Sequence, residues 1–422
     1  MILRRVSERF RSSWTEIQAS SVALKIRSPM RNNPLPPAVP NPHKTPLHLH
    51  LGDPTLGVLR PPESATKALR LLSSNDIYKS QHEYYGHTQG MYEIREVLAK
   101  WLSQQYNQSI KTDDVILTNG CQHALQLGLF ALADPGENVL VPSPGYPLNE
   151  VFLRPNGIEA RYYRIILNKN GNHLIDLEHV QSLIDDKTAV LALNNPSNPI
   201  GAVYPKRNLE KLSEILHKNR IPVISDEIYS STVFDRNAKF YSISSLTPAI
   251  PTIIVDSISK RYLLPGWRLG WILLRDVEGR LEKVWKGIGS MGHYINGPSR
   301  LAQAVLPTLL SETEDSYFEN FQNHLLSASK IICKKLENNP VITPVPPSGG
   351  TAILLLINKQ ILKSKFNDDA ENFVVELIEK ESVFCLPGKP LHCPEGVRIN
   401  LCHSLEGIGE ACDRINNFTA KL

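Results

Sequence analysis

The sequence predicts an α/β protein: a large, mostly parallel sheet domain covered by helices, with a smaller α+β domain beside it. Three observations lead there. From residue 115 onward, short apolar and β-branched runs at 115–118, 138–141, 188–193, 222–225, 252–255 and 272–274 alternate with helix-length segments. Strand–helix alternation of this kind is the pattern of a parallel sheet buried on both faces. After residue 274 the order changes to long helical stretches and then a few strands and helices, which suits a separate α+β unit. At 422 residues, 41% of them hydrophobic and 21% charged, the chain can bury two cores and has the balance of an ordinary globular protein.

Taken in order, residues 1–46 form a basic arm and a proline-rich spacer; the prolines from Pro34 to Pro46 make that spacer stiff and extended. Arg4, Arg5, Arg9 and Arg11 with nearby serines resemble a transit peptide, but Glu8 interrupts them. A cytoplasmic location is expected, with mitochondrial import as the alternative. His48 to Leu51 alternates like a short strand and stops at the turn Gly52-Asp53-Pro54, opening a first part of the smaller domain over 47–75. The large domain is expected over 76–310, with a helix over 91–106. Helical stretches at 277–290 and 298–337, broken near 311–314, lead out of the sheet. Residues 311–422 complete the smaller domain, with strands at 351–357, 382–385 and 397–401 and helices at 368–380 and 406–422.

Composition excludes several functions. Lys plus Arg number 46 against 42 Asp plus Glu, and the resulting +4 is spread without single-sign blocks, so neither a nucleic-acid tract nor a polybasic membrane anchor is present. Small anionic ligands are expected instead. Six cysteines without a CxxC pair fit reduced thiols and indicate no metal site. No apolar run approaches the roughly 20 residues that span a bilayer.

Lys260 follows a buried strand, where desolvation lowers an ammonium's pKa and frees a nucleophilic amine for a Schiff base. Ser257, three residues earlier, and Arg268, eight later, supply a hydroxyl and a guanidinium able to hold a phosphate. Gly120, Cys121 and Gln122 sit between a strand and a helix, where free N–H groups and the helix dipole bind an anion. Arg398 lies in an apolar strand, and its planar fork can clamp a carboxylate bidentately. Read singly, each has a plainer alternative: a strand-flanking loop lysine, a routine glycine turn, an exposed strand arginine.

Ser257-Ile258-Ser259-Lys260, followed by Pro265-Gly266-Trp267-Arg268-Leu269-Gly270-Trp271, resembles the cofactor-lysine segment of the fold-type I, pyridoxal-phosphate-dependent aminotransferases. The likeness runs over nearly the whole chain from about residue 29, and within the family it is strongest to the tyrosine aminotransferase subgroup, at 51–55, 142–148, 186–203 and 260–273. The resemblance implies pyridoxal 5'-phosphate as cofactor and Lys260 as its Schiff-base lysine and proton shuttle. It implies that Gly120, Cys121, Gln122, Ser257 and Arg268 hold the phosphate and that Tyr146 stacks on the ring. Asp226 would meet the ring nitrogen, while Asn198, in Asn195-Pro196-Ser197-Asn198-Pro199-Ile200-Gly201, and Tyr229 would flank the phenolic oxygen. Tyr85, in a Tyr-x-x-x-x-Gly segment, would cross a homodimer interface to the neighbouring subunit's phosphate. Arg398 would take the substrate's α-carboxylate, with Gly52 and Asn198 beside it. Alone, Asp226 reads equally as a helix N-cap and Tyr85 as an ordinary interface aromatic; their order along the chain is what matches.

The implied activity is transfer of the amino group of an aromatic amino acid to a 2-oxo acid, as in tyrosine catabolism. Alanine or broad-range specificity, or a C–S lyase or cyclase of the same fold, is the alternative outcome. A non-catalytic DNA-binding regulator is disfavoured, because roughly 45 proline-rich residues before the sheet are too few for a winged helix. Two departures from the family pattern stand out: Gln122 replaces a Ser or Thr, and Ser348-Gly349-Gly350-Thr351-Ala352 replaces Ser-Gly-Ala-Met-Tyr.

Overall fold

The computed structural model describes residues 19–26, 28, 30, 35–74, 85–168 and 170–422. Most of the expected basic arm, 1–33, lies outside the described residues, as does the start of the expected large domain, 76–84. The described chain contains strands β1 (Leu47–His48), β2 (Val115–Thr118), β3 (Asn138–Ser143), β4 (Glu159–Ile166), β5 (Leu174–Ile175), β6 (Thr188–Asn194) and β7 (Val223–Asp226). It continues with β8 (Thr252–Ser257), β9 (Gly270–Arg275), β10 (Ile342–Val345), β11 (Ala352–Ile357), β12 (Val383–Phe384), β13 (Leu386–Pro387) and β14 (Gly396–Asn400).

Eight strands form the large sheet in the order β2-β9-β8-β7-β6-β3-β4-β5. The run from β8 to β4 is parallel throughout; β9 is antiparallel to both neighbours and β5 is an antiparallel edge. Alternate residues feed opposite faces, as the pleat demands. Ile253 and Val255 join one core with Leu125 and Leu129 of the helix Cys121–Leu132. Ile254 joins another with Leu98, Trp271 and Leu306, while Leu191 and Val223 pack under Leu209 and Leu212. With both faces covered, the parallel strands read as unbroken apolar runs, which is why the sequence reveals them. β4 was missing from the sequence reading because Glu159, Arg161 and Arg164 break its apolar character.

The smaller sheet, β10-β11-β14-β13, is antiparallel and packs on the helices Asp315–Lys335, Ala370–Glu381 and Leu405–Thr419. Phe373 is its centre: its ring lies 5.3 Å from those of Phe366 and Phe418. The strand expected over 382–385 is divided at Cys385, so that β12 pairs in parallel with β1 while β13 joins the four-stranded sheet. Leu47 and Leu49 thereby enter the core of the C-terminal part. On this packing we propose that the segment around Leu47–Leu49 belongs with residues 311–422. The helix Glu63–Ser74, within the 47–75 stretch expected in the smaller domain, packs against residues of the large sheet's core: Ala65 and Ala68 lie with Leu98, Leu117 and Leu306, their small side chains permitting close helix approach.

Phe373→Ala should cost about 3–5 kcal/mol, because it empties the middle of a three-ring cluster that cannot collapse. Urea denaturation followed by circular dichroism would measure it.

Candidate active site

The carboxyl ends of β3, β6, β7 and β8 open on one edge of the large sheet, where parallel α/β sheets hold their ligands. A cavity of about 770 Å³ lies there, and Cys121, Gln122, Tyr146, Asn198, Asp226, Tyr229, Lys260, Arg268, Arg398 and Gly52 all line it. Because β9 runs antiparallel, Arg268 at its start returns to the same edge.

Each side chain is placed by local structure. β8 passes into the single helical turn Ile258–Arg261, which carries Lys260; its Nζ donates to the Gly52 carbonyl at 2.6 Å. Asp53 stops the segment after β1 by accepting from the Thr55 N–H at 2.9 Å. Asn198 is held in its turn by Asn194, whose Oδ1 accepts from the Asn198 N–H at 2.7 Å and whose Nδ2 donates to the Asp226 carbonyl at 3.2 Å. Asn194 also lines the cavity, as do Ser259, Leu51, Leu125, Ile228 and Leu386. Leu51 was expected beside the substrate side chain; the others carry no role in the sequence, because only the folded loops turn them inward.

The charges are unevenly paired. Arg398, on β14, is 3% exposed; Nη2 donates to the His50 carbonyl at 3.0 Å, Nη1 to Asn198 Oδ1 at 3.4 Å, and Nε has no protein partner. Among the described residues no carboxylate comes within ion-pair distance of it, and burial lowers its pKa. Opposite in sign, Asp226 is pushed up to about 7 by burial, with the Asp256 charge adding to the rise; among the described residues it accepts from the Ile228 N–H at 3.2 Å and from Cys121 Sγ at 3.6 Å. Burial raises the Tyr229 phenol to about 12, against the Thr351 hydroxyl and the Arg398 charge. Burial lowers His50 to about 4, so this wall residue is neutral at pH 7.

Three of the expected residues do not line the cavity. Gly120, at φ +82°, lies beneath Arg268: a Cβ there would stand 2.4 Å from Arg268 Nη2, so only glycine lets the guanidinium settle over the helix start. Ser257 is fully buried, and its hydroxyl accepts from the Ser259 N–H at 3.2 Å as a helix cap. Tyr85 is 92% exposed on the chain's surface.

The donor set suits pyridoxal 5'-phosphate. A helix N-terminus with an adjoining guanidinium offers an anion cradle. Asp226, weakly partnered and half-buried, faces where a protonated ring nitrogen would compensate it, and the orphaned Arg398 Nε calls for an acceptor. Among the described residues no group of three His, Cys, Asp or Glu could hold a metal, and no helix is long and apolar enough to cross a membrane.

Residues 44–415 match the family model "Aminotransferase class I and II". The chain is 36% identical over 410 residues to a tyrosine aminotransferase of Caenorhabditis elegans, covering 97% of this chain and 86% of that protein. Among solved structures, tyrosine aminotransferase from Leishmania infantum superposes with a TM-score of 0.88 at 27% identity, covering 97% of this chain and 99% of that one. An alanine aminotransferase from Pyrococcus furiosus gives 0.86 at 28% identity, covering 96% and 100%.

Gly270→Ala should loosen the phosphate end of the cavity. A Cβ there would lie 2.7 Å from the Gly120 carbonyl carbon and 2.8 Å from both Asp256 O and Cys121 N, backbone atoms on two elements. Overpacking of this kind costs about 1–3 kcal/mol. Affinity for pyridoxal 5'-phosphate should fall, as measured by fluorescence titration.

Proposed function

We propose that this chain, which belongs to the class I and II aminotransferases and is a pyridoxal-phosphate-dependent enzyme, moves the amino group of an aromatic L-amino acid, tyrosine foremost, to a 2-oxo acid such as 2-oxoglutarate. The observation that carries this reading is Arg398: a buried guanidinium on the cavity wall, without a protein carboxylate, reached from Lys260 through Gly52. An α-carboxylate is the planar anion that such a fork takes bidentately.

When bound, pyridoxal phosphate supplies the electron sink that makes the substrate's α-hydrogen acidic. Lys260 would hold the cofactor and, with its amine on the cavity wall, would take up that proton as general base and return it as general acid. Asp226 would pair with the ring nitrogen, Asn198 and Tyr229 would hold the phenolic oxygen, and Tyr146 would pack on the ring. The N–H groups of Cys121 and Gln122, with Arg268, would hold the phosphate, while the Gly120 N–H already donates to the Thr118 carbonyl at 2.8 Å and the buried Ser257 stays behind the cavity wall. The aromatic preference rests on the lining: Leu51, Ile228, Leu386 and Met30 are apolar. Arg300 packs against Gly86 and does not line this chain's own cavity. The relatives named tyrosine aminotransferase support the same choice and do not favour a C–S lyase. We further take the enzyme to be a cytoplasmic homodimer, Tyr85 reaching the partner's phosphate; its exposure as a single chain and the six unpaired cysteines support this.

Lys260→Ala should lose the covalent absorbance of the cofactor and at least about 100-fold in turnover. Arg398→Ala should lower kcat/KM for every amino acid by about 1.5–3 kcal/mol, the worth of a charged hydrogen bond, while cofactor absorbance persists. With 2-oxoglutarate as acceptor, tyrosine should turn over faster than aspartate; the reverse order would end the aromatic reading. Sedimentation should give a dimer, and an active monomer would remove Tyr85 from the site.

A further inference from the structure

Behind the cavity, residues 348–351 run between the turn that carries Asn198 and the turn that carries Tyr229. None of the four lines the cavity, and neither does Thr232. The Asn198 turn is tied at both ends. Asn194, the last residue of β6, accepts at Oδ1 from the Asn198 N–H at 2.7 Å, and the Gly201 carbonyl accepts from the Ser348 N–H at 2.9 Å and the Gly349 N–H at 3.0 Å. The next residue reaches the other turn. The Thr232 hydroxyl accepts from the Gly350 N–H at 3.0 Å and donates to the Tyr229 carbonyl at 2.7 Å. The Ser348 carbonyl adds to this side, accepting from the Phe234 N–H at 3.1 Å and the Asp235 N–H at 3.2 Å. Consecutive residues of one buried segment therefore bond both turns.

Two glycines make the fit possible. A Cβ at Gly349 would stand 3.1 Å from Val203 Cγ2 and 3.2 Å from Pro196 Cγ, so the segment lies directly on the Asn198 turn. Gly350 has φ +78°, the left-handed region that favours glycine. This is the stretch where Ser348-Gly349-Gly350-Thr351-Ala352 departs from Ser-Gly-Ala-Met-Tyr. It leads into β11, where Leu354 pairs with Arg398 of β14.

We propose that the Ser348-Gly349-Gly350 segment, acting through Thr232, is a positioning brace that fixes the spacing between Asn198 and Tyr229 across the cofactor's phenolic oxygen.

The physical reason is that both residues lie beyond their strands. β6 and β7 are in register at Asn194 and Asp226, but past those residues no ladder holds the chain. Asn198 Oδ1 already accepts from Arg398, which leaves the Asn198 amide nitrogen, with the Tyr229 hydroxyl, to donate. Two donors stabilise a shared oxygen most when they are in place before it arrives. Thr232 supplies that order because its one hydroxyl is used in both directions. Without it the Gly350 N–H is buried unpaired, and the Tyr229 turn loses its tie to the Asn198 turn through this residue.

This role rests on Asn198 and Tyr229 meeting the phenolic oxygen, and the ligands are chosen to test the two separately. Affinity of the full-length protein for pyridoxal 5'-phosphate and for its 3-deoxy analogue, which lacks only that oxygen, is measured by quenching of tryptophan fluorescence, with thermal unfolding of each variant recorded alongside. The native protein should prefer pyridoxal 5'-phosphate, and Tyr229→Phe and Asn198→Ala should each reduce the preference. Thr232→Val keeps the side chain's shape without its hydroxyl. It should weaken pyridoxal 5'-phosphate about 10-fold, on the order of one hydrogen bond to a charged oxygen, and the analogue less than about 2-fold. Thr232→Ser should restore the native preference, and Gly350→Ala should reduce it. If Thr232→Val weakens both ligands equally, or lowers the unfolding temperature without changing the preference, the brace is overturned; should Thr232→Val not fold, Gly350→Ala decides by the same comparison. A native protein that binds both ligands alike overturns the reading of Asn198 and Tyr229, and the brace with it. A preference that Tyr229→Phe and Asn198→Ala reduce but Thr232→Val and Gly350→Ala leave intact overturns the brace alone.

Discussion

A guanidinium withdrawn from water without a carboxylate to meet it is the constraint around which this molecule is arranged. Arg398 is tolerable at 3% exposure because the His50 carbonyl and the Asn198 side chain solvate it, and these come from two separate stretches of the chain. The His50 carbonyl is available because Asn400, two residues along β14, ties the same N-terminal segment down: its N–H donates to the Leu49 carbonyl at 2.8 Å and its side-chain amide to the Leu51 carbonyl. That segment in turn offers the Gly52 carbonyl to Lys260. Three stretches that share no sequence proximity are thus joined by hydrogen bonds, most of them to backbone oxygens.

The opposite wall carries the complementary problem. Asp226 and Asp256 occupy neighbouring strand ends, and the β7–β8 register sets them on opposite faces of the sheet, Asp226 beside Cys121 and Asp256 beside Arg261. The cavity is acidic at Asp226 and basic toward Lys260, Arg268 and Arg398. This polarity matches a zwitterionic cofactor bearing an anionic substrate, and it exists before either arrives. Close approach of backbones makes it compact: Gly270 and Gly120 let β9 and the helix Cys121–Leu132 touch, so Arg268 lies over the helix start.

Much of this was legible in the chain. Buried parallel strands must be apolar along their whole length, so six of the eight large-sheet strands stand out as runs, and a ligand edge follows from their direction. β4 and the edge strand β5 did not stand out, because a strand with one wet face or only two residues lacks that signature. Ten of the residues singled out in the sequence line one cavity. Asn194, Ser259 and Asp256 were passed over, because an amide in a turn, a serine in a helical turn and an acid at a strand end look the same whether they face solvent, a cavity or another charge.

The sequence by itself determined which chemistry was on offer: a lysine after a buried strand, arginines and a glycine-rich helix start for anions, and acids at strand ends, all encoded by local pattern and residue type. Only the tertiary structure decided which of them share a space. It packed the helix Glu63–Ser74 against the large sheet's core, left Tyr85 on the surface, turned the Ser257 hydroxyl into a cap and set Arg261 against Asp256. These outcomes depend on strand register and on desolvation, quantities set by contacts between residues far apart in the chain, and no local pattern records them.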